Sequence, residues 1–229
     1  MKLAAFFDID GTITKTTILD PLIWYRRTHD SAPRFAAFVS GLVLRAPYYL
    51  WIDRQSRSRC NVVFFRQYAG MPAQPLREWH RRTFPDNLQR KVIPAAHDCI
   101  RDHQRRGHRV VLVTGGLELV MRPLAEFLHA DELIATRLVE RTGAFTGELD
   151  GPAIADARKA ELARAYAQRH GIDMAQSFAY GNSPGDAPML ECVGHPVAVN
   201  PDGRLQRLAR RRGWPSVTWQ SRPHGTSCA

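Results

Sequence analysis

The hydrophobic and polar positions of this chain fall into three regimes. Residues 3–7 form a continuous apolar run that stops abruptly at Asp8-Ile9-Asp10-Gly11-Thr12. A short apolar run bounded by a turn signal predicts a buried strand. From Ile18 to about Gln89 the period becomes helical, with many aromatic and arginine residues. Pro21, Pro33, Pro47, Pro72, Pro75 and Pro85 cut that region into pieces, so four or so helices are predicted directly after the first strand. From about Lys91 onward strands and helices alternate. The pattern predicts a helix over 94–106 ended by Gly107, a strand over 109–113, and a helix over 117–129 made irregular by Pro123. A strand over 132–138 and a hairpin around Gly143 follow. Next come a helix over 157–170 closed by Gly171, a strand over 177–180, a short helix over 189–192, a strand over 196–199 and a helix over 203–212. Strands separated by helices argue for an α/β fold with a parallel, doubly wound sheet. Residues 1–13 and 91–220 are expected to form its core, 14–90 an inserted helical cap, and 221–229 a flexible tail.

Composition changes this picture little, whereas the placement of charge changes it more. Hydrophobic content of 44% and charged content of 24% are those of an ordinary globular protein. The net charge is +10, and residues 14–90 carry 13 Lys and Arg against 5 Asp and Glu, which is +8 of it. A basic module beside an acidic turn suits an anionic substrate or an anionic surface, and a solvated arginine-rich face is the plainer alternative. Residues 35–51 are the most apolar stretch, interrupted by Arg45 and Pro47. A packed cap helix is the first reading, an interfacial helix in peripheral contact with a membrane the second, and a span the third. Cys60, Cys99, Cys192 and Cys228 lie far apart without ligand spacing and read as reduced thiols. Asp8 arrives too early for a signal peptide, so a cytoplasmic protein is expected. The nine histidines show no ligand spacing, and the basic helix over 204–212 has no base-reading motif, so no nucleic-acid partner is expected. The sequence leaves the oligomeric state open.

Three predicted strands end in polar, glycine-bearing turns: after Phe7, after Val113 and after Tyr180. A parallel sheet gathers such ends on one edge, where open α/β sheets bind ligands. Asp8 and Asp10, two apart, repel each other unless a cation sits between them. Phosphoryl transfer needs an oxygen nucleophile, a metal, donors for the phosphoryl oxygens and a cation. Asp8 or Asp10 can be the nucleophile. Thr114 and the amides of Gly115 and Gly116 can donate to phosphate, and Lys159 is a point charge. Asp186 with Asn182 can complete an oxygen-only Mg²⁺ site.

This set resembles the haloacid dehalogenase superfamily of phosphatases. Asp8-Ile9-Asp10-Gly11-Thr12 is similar to its DxDGT motif, residues 110–114 to the second motif, Lys159 to the third, and Gly181-Asn182-Ser183-Pro184-Gly185-Asp186 to the fourth. The helical insertion, Thr114-Gly115-Gly116 and the Gly143 hairpin resemble the subclass that contains phosphoserine phosphatases. The resemblance implies a Rossmann-like core and a Mg²⁺-dependent hydrolase of a small phosphorylated substrate. Asp8 would attack phosphorus, and Asp10 would protonate the leaving oxygen and then deprotonate water. Asp8, Asp10 and the fourth-motif residues Asn182 and Asp186 would hold Mg²⁺. Thr12, Thr114, Gly115, Gly116 and Lys159 would bind the phosphate. Two positions depart from the pattern. Asn182 stands where the family usually has Asp, and Thr17 where the phosphoserine enzymes have Glu. A binding module without turnover, or a phosphatase of lipid-like phosphates at a membrane, are the alternatives.

Overall fold

The computed structural model describes residues 2–219. The tail expected over 221–229 lies outside them. Six strands form one parallel sheet in the order β3-β2-β1-β6-β7-β8. Its strands are β1 (Ala4–Phe7), β2 (Arg109–Leu117), β3 (Glu132–Thr136), β6 (Phe178–Gly181), β7 (His195–Val199) and β8 (Ser216–Val217). A short antiparallel hairpin supplies β4 (Leu138–Arg141) and β5 (Ala144–Leu149). β1 is central because all four of its residues are apolar and fully buried. Alternate side chains serve opposite faces. Ala5 and Phe7 pack into one core cluster, Ala4 and Phe6 into the other.

The chain runs outward from β1 through β2 to β3, then returns to place β6 on the other side of β1. This reversal leaves a crevice at the carboxyl ends of β1 and β6, the place where doubly wound sheets bind ligands. The Asp8 amide donates to the Tyr180 carbonyl at 2.9 Å, carrying the β1–β6 pairing into that crevice.

Between β1 and β2 lie α1 (Asp20–His29), α2 (Ala32–Gln55), α3 (Arg57–Phe65), α4 (Ala73–Thr83) and α5 (Pro94–Arg105). The helix α6 (Glu118–Phe127) links β2 to β3, with Pro123 inside it. Later come α7 (Ala157–His170), α8 (Ala187–Leu190) and α9 (Gly203–Arg212). α7 ends in Gly171 at φ +65, as its expected C-cap requires.

Several boundaries differ from expectation for local reasons. The strand predicted to end at Val113 continues to Leu117, because a register shift after Thr114 lets Leu117 rejoin Thr136. The run over 132–138 divides into β3 and β4. Thr142 and Gly143, both at positive φ, close the β4–β5 hairpin. That hairpin is bonded to the inserted segment: Gly70 donates to the Phe145 carbonyl, Phe145 to that of Met71 and Ala73 to that of Gly143. Cys60 and Cys192 are free thiols, as expected.

Candidate active site

The tight turn after β1 sets the site. The amides of Thr12, Ile13 and Thr14 all donate to the Ile9 carbonyl, and the Gly11 amide donates to that of Thr14. Gly11 has φ +85, and a Cβ there would stand 2.0 Å from Asn182 Nδ2. Only glycine lets the first and fourth motif loops approach so closely. The turn buries Asp8 and sends Thr12 inward, where its hydroxyl donates to Asp8 Oδ2 at 2.9 Å.

Lys159, one turn into α7, reaches Asp8 Oδ1 at 2.5 Å and Asp186 Oδ1 at 2.6 Å. All three side chains are buried. The second Asp186 oxygen accepts from the amides of Asn182 and Ser183 and from the Ser183 hydroxyl. Both oxygens of Asp186 are thus engaged in holding Lys159 and the fourth-motif loop.

Charge in this cluster is unbalanced. Burial pushes the Asp8 carboxyl up to about 7, helped by the negative charge of Asp186 and opposed by Lys159. Burial likewise raises Asp10, against the hydrogen bond that Thr16 Oγ1 donates to its Oδ1 at 2.7 Å. Burial acts upward on Asp186 too, but the Lys159 charge and the Ser183 donors hold its carboxyl low. Burial opposes the charge on Lys159, yet Asp186 and Asp8 raise it further. Three carboxyls therefore share one buried ammonium, an arrangement that favours a further cation.

Thr114 is fully buried, and its Oγ1 accepts from the Gly116 amide at 2.9 Å, which leaves the hydroxyl proton free to donate. The Gly115 carbonyl is held by Thr136 Oγ1. One cavity is lined by Asp8, Asp10, Thr114, Gly115, Lys159, Asn182 and Asp186. Of the residues singled out from the sequence, Thr12 and Gly116 do not line it: the first supports Asp8, the second Thr114.

The same cavity is lined by residues that the sequence reading did not single out: Ile18, Arg57, Asn61 and Asp156 among them. Arg57 feels the charges of Asp53, Asp8, Asp186 and Asp10, which outweigh burial and raise its pKa. Asn61 is 2% exposed, and its Oδ1 has no partner. Its Nδ2 end points at Gly115, where a Cβ would fall 2.8 Å from that nitrogen. Ser58 Oγ donates to Asp156 Oδ2 at 3.4 Å, tying α3 to the loop before α7 across the cavity. Thr17 is turned away and exposed, with its amide and hydroxyl both donating to Asp20 Oδ2. Arg57 and Asn61 are spaced i, i+4 behind the Ser56 cap, on a helix whose other inner positions are apolar. That polar pair was the available signal.

The site has a hard-cation donor set. Asp8, Asp10, Asn182 and Asp186 all line the one cavity, and among the described residues no group of three His, Cys, Asp or Glu is placed to hold a metal alone.

The family of haloacid dehalogenase-like hydrolases matches residues 5–191 of the chain. The inhibition of morphological differentiation protein of Streptomyces azureus is 35% identical over 224 residues, covering 93% of this chain and 77% of that protein. A phosphoserine phosphatase of Mycobacterium tuberculosis is 35% identical over 220 residues, covering 93% and 70%. The crystal structure of a protein of unknown function from Bordetella pertussis superposes with a TM-score of 0.79 at 25% identity, over 95% of this chain and 98% of that one.

Proposed function

This chain belongs to the haloacid dehalogenase-like hydrolase family and is a phosphatase, and we propose that it hydrolyses a small acidic phosphomonoester through an aspartyl phosphate on Asp8. One arrangement carries this: Lys159 held between Asp8 and Asp186 at the carboxyl ends of β1 and β6, in one cavity with Thr114 of β2. Asp8 attacks phosphorus as the P–O bond to the leaving group breaks. Asp10, on the same turn, gives its proton to the departing oxygen and then takes one from the water that opens the acyl phosphate. The Thr114 hydroxyl, the Gly115 amide and Lys159 bind the phosphoryl oxygens. Thr12 keeps Asp8 in place.

The Asp8 carboxylate, the Asp10 carbonyl and the Asn182 amide oxygen would hold Mg²⁺, with Asp186 fixing their loop. When bound, the ion offsets the charge of the transferring group. Residues 1–13 and 91–220 act as the catalytic core, and 14–90 as the cap that selects the substrate. Arg57 supplies a cation for an acidic leaving group, and Asn61 Oδ1 accepts from a donor on it. With Thr17 turned outward and Ile18 lining the cavity instead, no acid stands at the position that phosphoserine enzymes reserve for Glu. This argues against phosphoserine as the substrate. A panel of phosphorylated metabolites, assayed for phosphate release with Mg²⁺, tests this. Turnover of an acidic phosphomonoester, lost in Asp8→Asn, is expected; turnover that survives Asp8→Asn overturns the mechanism.

A further inference from the structure

Helix α2 is 24 residues long, yet Ile52 is its only buried residue. An 18-residue window within it has a mean hydropathy of 1.4, so by length and composition it is apolar enough to cross a membrane. Its inner side meets the rest of the protein through Phe38, Leu42 and Tyr49. The outer side is different. Ala37, Leu44, Tyr48 and Trp51 fall on one stripe at helical spacing, with Val43 and Leu50 beside it. Leu44 is 81% exposed, Val43 66%, Leu50 60% and Trp51 57%. A contiguous apolar ridge of this kind marks an interaction surface.

The margins of the ridge say what it touches. Arg34 and Arg45 flank the stripe on one side and Arg54 on the other, with Arg59 following on α3. None of the four has an ion-pair partner among the described residues. Residues 26–66 contain eight Arg and two Asp, without Lys or Glu. An apolar centre with aromatic side chains and arginine margins matches the layers of a bilayer surface with anionic headgroups: rings at the headgroup level, alkyl stems inward, guanidinium groups at phosphates.

We propose that the outer face of α2 docks this protein on an anionic lipid bilayer, with the helix lying in the plane of the interface. The helix does not span. α1 and α3 fold onto the same core at its two ends, whereas a span would carry those ends to opposite sides, about 30 Å apart. Arg45 would also sit in the hydrocarbon. A second copy of the chain would bring one arginine-rich face against another. Docking also places the enzyme usefully. A cleft lined by Leu50 and Arg54 of α2 shares Arg57, Asp156, Ser183 and Gly185 with the reaction cavity, so the site opens beside the docked face.

The test is co-sedimentation of the whole protein with vesicles of phosphatidylcholine alone or with about 30% phosphatidylglycerol. Binding to the anionic vesicles only is expected, weakening as salt rises from about 0.05 M to about 0.5 M. The double variant Leu44→Glu/Trp51→Glu should bind at least about tenfold less, and so should Arg34→Glu/Arg45→Glu, both with an unchanged melting temperature. No binding to anionic vesicles overturns the proposal, as does binding that both variants retain. Dimers of the wild type that Leu44→Glu/Trp51→Glu converts to monomers would assign the face to a second copy instead. Resistance to extraction by alkaline carbonate would make α2 a span. The vesicle readout needs no turnover, so it stands or fails apart from the phosphatase reading.

Discussion

Lys159 and Asp8 form a buried ion pair at 2.5 Å between residues 151 positions apart, and the same ammonium reaches Asp186 at 2.6 Å. One cation therefore joins the end of β1 to the loop that follows β6. Removing it leaves two buried carboxylates facing each other without compensation. Lys159→Ala is expected to destabilise the fold by about 3–5 kcal/mol, the cost of breaking a buried pair from one side. It should also lower kcat/KM at least about a hundredfold, as loss of a preorganised charge does. Urea unfolding and phosphate-release assays on the same preparation check both. A variant that keeps its stability would show that Lys159 does not hold the loops together.

Asp8→Asn should separate chemistry from folding. The amide keeps the shape and the contact with Thr12, removes the repulsion from Asp186, and leaves Lys159 with its other partner. Turnover is expected to fall by at least about a thousandfold, because no carboxylate is left to form the acyl phosphate. The melting temperature should be unchanged or raised. A fall in melting temperature larger than that of Lys159→Ala would mean that Asp8 serves the fold first.

Most of this site was legible because its parts sit on short, local patterns. The apolar runs ending at Phe7, Val113 and Tyr180 each stop in a polar glycine turn, and a parallel sheet brings those stops to one edge. Lys159 needed only the position of its helix. Arg57, Asn61 and Asp156 were not legible in the same way. They reach the cavity from α3 and from the loop before α7, and only the packing of the insertion onto the core puts them there. The extension of β2 past Thr114 escaped for a related reason: Gly115 and Gly116 look like a chain stop, but here they form a bulge that β3 bridges. Thr12 and the Gly116 amide bond to Asp8 and Thr114 and do not line the cavity, contacts that spacing does not report.

Asn61 tests what the insertion contributes. Its Oδ1 is buried without a partner, a cost of about 1–3 kcal/mol that a substrate donor would relieve. Asn61→Ala is expected to raise KM about tenfold for the best substrate of the metabolite panel, with kcat little altered, since the contact lies on the leaving group rather than the phosphoryl centre. Steady-state kinetics decide it. A drop in kcat with constant KM would place Asn61 at the reacting atoms.

Asn182→Asp addresses the metal. A fourth carboxylate beside Asp8, Asp10 and Asp186 adds repulsion without Mg²⁺ and a stronger ligand with it. In chelator the variant should melt lower than the wild type. In saturating Mg²⁺ its gain in melting temperature should exceed that of the wild type, and the half-saturating Mg²⁺ concentration should fall several-fold. Identical Mg²⁺ responses in the two proteins would remove residue 182 from the metal's surroundings.

His80 on α4 gives the fold a pH dependence away from the site. Its ring is buried against Trp79, with Nε2 unpartnered, and burial pushes its pKa down to about 3. Above pH 6.5 both folded and unfolded chains carry it neutral, and it contributes no slope. Below 6.5 the unfolded chain takes up a proton that the folded chain refuses, so stability falls with pH until about 3, by at most about 1.4 kcal/mol per pH unit. Carboxylates add their own acid loss, so the contribution of His80 must be read as a difference. His80→Leu keeps an apolar side chain in the space and has no proton to accept. Urea unfolding of both proteins from pH 7.5 to 4.5 should give lines that run together above 6.5 and diverge below it, with the variant losing less. Parallel loss across the whole range would mean that the His80 ring finds a proton-accepting partner in the folded protein.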